Sequence, residues 1–208
     1  MPHDHFTERA ATWDDDAGTV RRSRAVADAV RSAVPLTGTE HLLEYGAGTG
    51  LVSAALLDHV GRVTLVDRSA GMREVAERKV GAGVFPPDTR VLDLDLGDAT
   101  VPPELAGTID LVVCSLVLHH VPDVPRVLTG FRELLTPGGH VAIVDLDSDD
   151  GEFHAQVHDF DGHDGFDRER LSGWLGDAGF TAVAVGDAVP IEKHGTTFTS
   201  FLATGVRA

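Results

Sequence analysis

The chain has 208 residues, 42% of them hydrophobic, and a formal net charge of −16 at neutral pH. That length can bury one sizeable core, and so acidic a surface repels phosphate backbones, which argues against broad contact with nucleic acid. No apolar run reaches the roughly 20 residues that span a bilayer, the opening MPHDHFTERA has no basic-then-apolar leader pattern, and the single cysteine, Cys114, leaves no internal disulfide to form, so a cytoplasmic protein without membrane contact is expected.

Residues 6–36, FTERAATWDDDAGTVRRSRAVADAVRSAVPL, have helical spacing up to Pro35. Within them Arg21, Arg22 and Arg24 stand near Asp14, Asp15 and Asp16, and a salt-bridged helix face is expected. From His41 the chain alternates. HLLEY reads as a strand, LVSAALLDHV as a helix, RVTLVD as a strand, AGMREVAERKV as a helix and RVLDLDL as a strand. TIDLVVCSLVL is a near-continuous apolar strand of the kind buried on both faces. VPRVLTGFRELL follows as a helix stopped by TPGG, then HVAIVDL as a strand and DRERLSGWLGDAGF as a helix ending at Gly179. TAVAVGDA and TFTSFLATGV, with no helix between them, predict an antiparallel pair at one edge of the sheet. Strands alternating with helices of about a dozen residues imply parallel units with right-handed crossovers.

The first turn of this series, YGAGTG, places Gly46, Gly48 and Gly50 between a strand and a helix. It departs from the dinucleotide fingerprint G-x-G-x-x-G, because Leu51 stands where the third glycine belongs. Glu44, at the carboxyl end of the strand, would repel a pyrophosphate and attract an ammonium or a sulfonium. Asp67 closes the second strand 23 residues later, near the roughly 20-residue spacing at which a carboxylate takes ribose hydroxyls. Asp93, Asp95 and Asp98 follow the third strand, and Arg68 is a lone cation expected to be exposed. The pattern suits an adenosine with a cationic tail.

LLEYGAGTG, VTLVDRSAGM, IDLVVCSLVLHHVPD and LLTPGGHVAIVDLD, in this order and spacing, resemble the motifs of the class I S-adenosylmethionine-dependent methyltransferases, specifically the small-molecule type. The resemblance runs from residue 40 to the C-terminus. It implies a Rossmann-like α/β fold, a doubly wound, mostly parallel seven-stranded sheet with an antiparallel last strand in a three-layer α/β/α arrangement. A single domain is expected over 1–208, with residues 1–36 as a helical lid and 40–208 as the core. The resemblance implies S-adenosyl-L-methionine as cofactor, with Glu44 near its amino group, Tyr45, Gly46, Ala47, Gly48 and Gly50 in the turn around it, and Asp67 and Arg68 at the ribose. Met72, Asp93 and Leu94 would border the adenine, with Asp95 and Asp98 as alternatives to Asp93, and Cys114 and Ser115 would face the methionine moiety. Phe6, Ala10, Trp13 and Asp14 are similar to the lid pattern of small-molecule members, which makes Phe6 and Trp13 candidate substrate contacts.

His119 and His120 fall where such proteins put residues near the methyl group, and histidine suits a general base at neutral pH. The stretch from Asp145 to Phe166 is long for a connection and carries His154, His158 and His163 among many carboxylates. His154 and His163 are candidate substrate contacts. Mixed imidazole and carboxylate groups can bind a divalent metal, but acidic, histidine-bearing loops are commonly solvated surface, and no metal is expected. The expected activity is methyl transfer to a small molecule by a monomer or homodimer. A non-catalytic module that binds the cofactor or its product, or a nicotinamide-dependent oxidoreductase, is the alternative.

Overall fold

A computed structural model of the chain describes residues 5–149, 151–155, 160, 162–193 and 195–208. It divides into two compact units, residues 1–95 and 96–208.

The first unit runs α1 (His5–Arg9), a 3-10 turn (Ala10–Asp15), α2 (Ala17–Ala33), β1 (His41–Tyr45), α3 (Leu51–Leu56), β2 (Arg62–Val66), α4 (Ala70–Gly81) and β3 (Arg90–Leu92). β1 pairs with β2 and β2 with β3, both parallel. The N-terminal helical pattern is interrupted at Asp16, which turns extended and caps α2 by accepting from the Gly18 N–H at 2.8 Å and the Thr19 hydroxyl at 2.9 Å. Of the expected pairing with the nearby arginines, an attraction between Asp16 and Arg22 is present. Asp16 serves as this cap, and Asp14 pairs with Lys79 at 2.6 Å.

After β1 the chain must reverse within five residues, and Gly46, Gly48 and Gly50 all take positive φ, at 70°, 54° and 80°. Gly50 is doubly constrained, because a β-carbon there would lie 2.8 Å from the Phe85 ring.

The second unit runs β4 (Ile109–Ser115), α5 (Val124–Leu134), β5 (Leu135–Leu146), α6 (Arg168–Asp177), β6 (Phe180–Asp187), β7 (Ile191–Lys193), β8 (Thr196–Phe198) and β9 (Ser200–Arg207). α5 buries Val124, Val127, Leu128, Phe131 and Leu134, the spacing of one helix face, and Asp123 caps it through the Arg126 N–H. The TPGG stop does end the helix but does not separate it from the strand. Residues 135–146 form one continuous strand, with the register against β4 shifting between Ile109 and Leu111. β9 is antiparallel to both β5 and β6, so the last strand lies between them and β6 has no further neighbour in the sheet. β7 and β8 form a separate antiparallel hairpin that the sequence pattern does not reveal.

The hydrogen-bonded order of the seven-stranded sheet is β3-β2-β1-β4-β5-β9-β6. This is the Rossmann-like, mostly parallel sheet expected from the strand and helix alternation. Among the described residues, no helix is long and apolar enough to cross a membrane.

Candidate active site

Asp67 follows β2 directly, and its carboxylate is aimed by backbone. One oxygen accepts from the Gly48 N–H at 2.6 Å, the other from the Ser69 N–H at 2.8 Å. Arg73 fixes the same turn by donating to the carbonyls of Asp67 and Arg68. The glycine turn and the carboxylate are thus one hydrogen-bonded assembly. A β-carbon on Gly48 would lie 3.8 Å from the sulfur of Met72, a fully buried residue on α4, so the turn and Met72 share one face of the unit.

Glu44 is buried in β1, where one oxygen accepts from the Ser53 N–H at 2.9 Å and from the Ser53 hydroxyl. Burial pushes its carboxyl up to about 7; the two Ser53 hydrogen bonds and Lys79 oppose the rise, and Asp67 adds to it. Between the ordinary value of 4.5 and about 7, the folded protein holds a proton that the unfolded chain has lost. Stability of the free protein therefore falls as pH rises through that window, by about 3 kcal/mol in all. Glu44→Gln should remove most of this decline, as read by urea unfolding at about pH 5 and about pH 8. A decline unchanged in the variant would mean that another group titrates.

The acidic residues after β3 have separate partners. Asp93 is exposed and pairs with Arg73 at 3.0 Å. Asp95 is mostly buried, pairs with Arg68 at 3.0 Å and accepts from the Tyr45 hydroxyl at 3.4 Å. Arg68 is exposed, as expected, yet its charge is engaged by Asp95. Leu94, between the two carboxylates, is buried.

The N-terminal segment is pinned to this assembly at two points. Thr7 bonds Ser69 at 2.9 Å and accepts from the Gly71 N–H, and a β-carbon on Gly71 would lie 2.8 Å from the Thr7 backbone. Asp14 accepts from the Thr49 hydroxyl and pairs with Lys79, which also donates to the Thr49 carbonyl at 2.8 Å. Between the anchors, Phe6 and Trp13 meet edge to face with centroids 6.1 Å apart, and Arg9 lies over the Trp13 ring.

In the second unit, Cys114 is fully buried in β4 and Ser115 is half-buried at its end. Leu116 then takes φ of +56°, a conformation that costs a non-glycine residue of order 1–3 kcal/mol and is found preferentially at functional sites. The 3-10 turn Leu118–His120 follows. His119 is buried, and its Nδ1 donates to Asp145 at 2.6 Å. Asp145, at the end of β5 and wholly buried, also accepts from the N–H groups of Leu118 and Leu146. His163 binds the turn through backbone, its N–H donating to the His119 carbonyl at 2.7 Å and its Nε2 to the Val121 carbonyl at 3.0 Å.

His154 is buried against Phe160, with stacked rings 3.6 Å apart, and its ring lies 5.2 Å from that of His119 and 5.9 Å from that of His120. Desolvation, reinforced by the neighbouring His119, pushes the buried His154 down to about 4 and lowers His120 as well, although His120 keeps an exposed edge. His158 lies outside the described residues.

Two residues of these assemblies lie outside the motifs that carry the family resemblance. Ser53, nine positions beyond Glu44, and Lys79 are found only by tertiary contact. Asp145 was legible near the end of the strand HVAIVDL, but its partners, the His119 ring and the N–H groups of Leu118 and Leu146, were not.

A Rossmann-like sheet whose glycine turn is clasped by the carboxylate after the second strand defines an α/β protein of the nucleoside-binding kind. The family described as Methyltransferase domain matches residues 17–185, and the chain belongs to that family.

An uncharacterized methyltransferase of Schizosaccharomyces pombe is 30% identical over 120 residues, covering 56% of this chain and 42% of its own length. The ubiquinone biosynthesis O-methyltransferase of Coxiella burnetii is 28% identical over 138 residues, covering 64% of this chain and 56% of its own. The chain thus spans little more than half, at most, of these relatives. Among solved structures, a chain from the Haloferax volcanii complex of the Trm112 methyltransferase activator with a methyltransferase superposes with a TM-score of 0.79, at 20% identity and 99% coverage of both chains. Phosphoethanolamine N-methyltransferase 2 of Haemonchus contortus, solved with S-adenosyl-L-methionine, gives 0.73 at 13% identity, covering 97% of this chain and 60% of its own. These likenesses concern the fold.

Proposed function

We propose that the chain transfers the methyl group of S-adenosylmethionine to a small-molecule acceptor. The observation that carries this reading is the Asp67 carboxylate, held by the Gly48 and Ser69 N–H groups at the end of β2. A fixed carboxylate beside a glycine turn fits vicinal ribose hydroxyls through charge-assisted hydrogen bonds. The donor set also fits the rest of the cofactor. Glu44 offers a carboxyl to the amino group and the backbone of Tyr45 to Gly50 allows close approach, while Met72 and Leu94, both buried, are assigned to the adenine on the family pattern alone. Arg68, engaged by Asp95, stiffens this edge, with Asp93 exposed beside it. Cys114 and Ser115 are assigned to the methionine moiety on the family pattern alone.

When bound, S-adenosylmethionine supplies a methyl on a sulfonium, and transfer breaks the carbon–sulfur bond with the electron pair returning to sulfur. The chain's own residues then have to hold the acceptor, exclude water and, for a hydroxyl or similar nucleophile, take its proton. Of the two candidate bases, His119 suits the last task better than His120. Asp145 fixes the Nδ1 proton of His119 and so leaves Nε2 as the basic atom, whereas the pKa of His120 is lowered. Phe6 and Trp13, on the doubly anchored N-terminal segment, are assigned to covering the acceptor, and His154 to lining its pocket. His163 is assigned to holding the histidine turn, since its backbone N–H and its Nε2 meet backbone carbonyls.

A small-molecule acceptor is supported by the charge of −16, which disfavours nucleic acid, and by the name of the Coxiella relative, a ubiquinone biosynthesis enzyme. Incubation with methyl-labelled S-adenosylmethionine and a metabolite extract should place label in the low-molecular-weight fraction. Label found only in RNA or protein would overturn the small-molecule reading, and cofactor binding without any labelled product would favour a binding module.

A further inference from the structure

The turn after β4 and the stretch after β5 bring three imidazoles together within the second unit. His119, His120 and His154 each offer one ring nitrogen, and these atoms lie within 4.8 Å of one another. From this geometry we infer a binding site for a divalent transition ion of the Zn²⁺ type, held by His119, His120 and His154.

Four independent features point to an ion. First, the Nδ1 of His154 is buried with no hydrogen-bond partner among the described residues, in a residue only 7% exposed, and a buried polar atom left so costs about 1–3 kcal/mol. A metal would satisfy it. Second, Asp145 already occupies Nδ1 of His119 at 2.6 Å, the carboxylate–histidine arrangement that orients a ligating ring and leaves Nε2 to bind. Third, the three rings pack side by side, with centroids 4.1 Å apart for His119 and His120, 5.2 Å for His119 and His154 and 5.9 Å for His120 and His154, so their nitrogens are held in one small space. Fourth, Phe153 and Phe160 pack on His154 at 4.8 and 3.6 Å between centroids, an apolar wall that limits competing water.

Carboxylates outnumber ammonium groups around the set. Lys193, whose ammonium lies over the Phe153 ring and donates to the Phe153 carbonyl, opposes a cation, while Asp145, Asp149 and Asp164 favour one. The ligand type also selects. Three imidazoles suit Zn²⁺, Co²⁺ or Fe²⁺ and disfavour Mg²⁺ and Ca²⁺, which prefer oxygen. Ligand nitrogens about 2.0–2.1 Å from a tetrahedral ion stand roughly 3.4 Å apart, so modest ring rotations complete the site. Three protein ligands leave the fourth position for water or for an oxygen of the acceptor; with the ion bound, Nε2 of His119 would be a ligand rather than a base, and an acceptor hydroxyl in the fourth position would be acidified by the ion instead. No metal is expected from the sequence, because His154 is 34 positions beyond His120 in an acidic stretch that reads as solvated surface.

The test is a Co²⁺ titration of chelator-stripped protein in excess Mg²⁺, read by visible absorption. One Co²⁺ per chain with the intense bands of tetrahedral nitrogen coordination is expected. These bands should be absent from His154→Gln and His120→Gln, each checked for folding by circular dichroism, and retained by His59→Gln in the first unit. No such band in the unmodified protein, or a band that survives in folded His154→Gln, overturns the site. The titration uses neither cofactor nor acceptor, so its failure leaves the methyltransferase reading standing.

Discussion

Asp145→Ala is expected to destabilise the protein by about 3–5 kcal/mol, the loss seen when one partner of a buried polar or ionic cluster is removed. Its carboxylate is wholly buried and accepts from three donors, the His119 ring and the N–H groups of Leu118 and Leu146. Removing it strands all three without admitting enough water to solvate them. The same turn contains Leu116 at positive φ, so it already carries strain that its hydrogen bonds must offset. Equilibrium unfolding in urea measures the loss, and Asp145→Asn, which keeps one acceptor oxygen, should fall between the two. A loss below about 1 kcal/mol would show that the turn does not depend on this carboxylate.

Asp67→Ala is expected to weaken S-adenosylhomocysteine binding about 10- to 100-fold, or about 1.4–3 kcal/mol. Two effects add. The charge-assisted bonds to the ribose are lost, and the Gly48 and Ser69 N–H groups no longer converge on one carboxylate, so the glycine turn loses its clasp. Asp67→Asn separates them, since the amide keeps one acceptor but not the charge. Calorimetry with the product avoids turnover, and unchanged affinity in Asp67→Ala would remove this residue from the cofactor site.

The elements that position these residues were legible to different degrees. β1, β2, α4 and α5 follow from local pattern, because alternation of strand-like and helix-like apolar spacing is written in adjacent residues. The departures came where local signals met tertiary constraint. TPGG reads as a break, yet pairing with β4 draws residues 135–146 into one strand. The β7–β8 hairpin is too short to carry a pattern of its own.

At the site the division is sharper. The sequence by itself determined the glycine turn and the carboxylates at the ends of β1 and β2, and the order of its motifs pointed to the proposed methyl donor, because backbone requirements at Gly46, Gly48 and Gly50 and the placing of acids after strands are short-range facts. Only the tertiary structure decided what each acid meets. Asp95 takes Arg68, Asp93 takes Arg73, Asp14 takes Lys79 and Asp145 takes His119. A chain of 33 acidic residues offers many equivalent carboxylates, and which one is buried beside a given partner depends on how distant segments pack. The gathering of His119, His120 and His154 has the same cause, since the neighbours that orient these rings come from separate stretches of the chain.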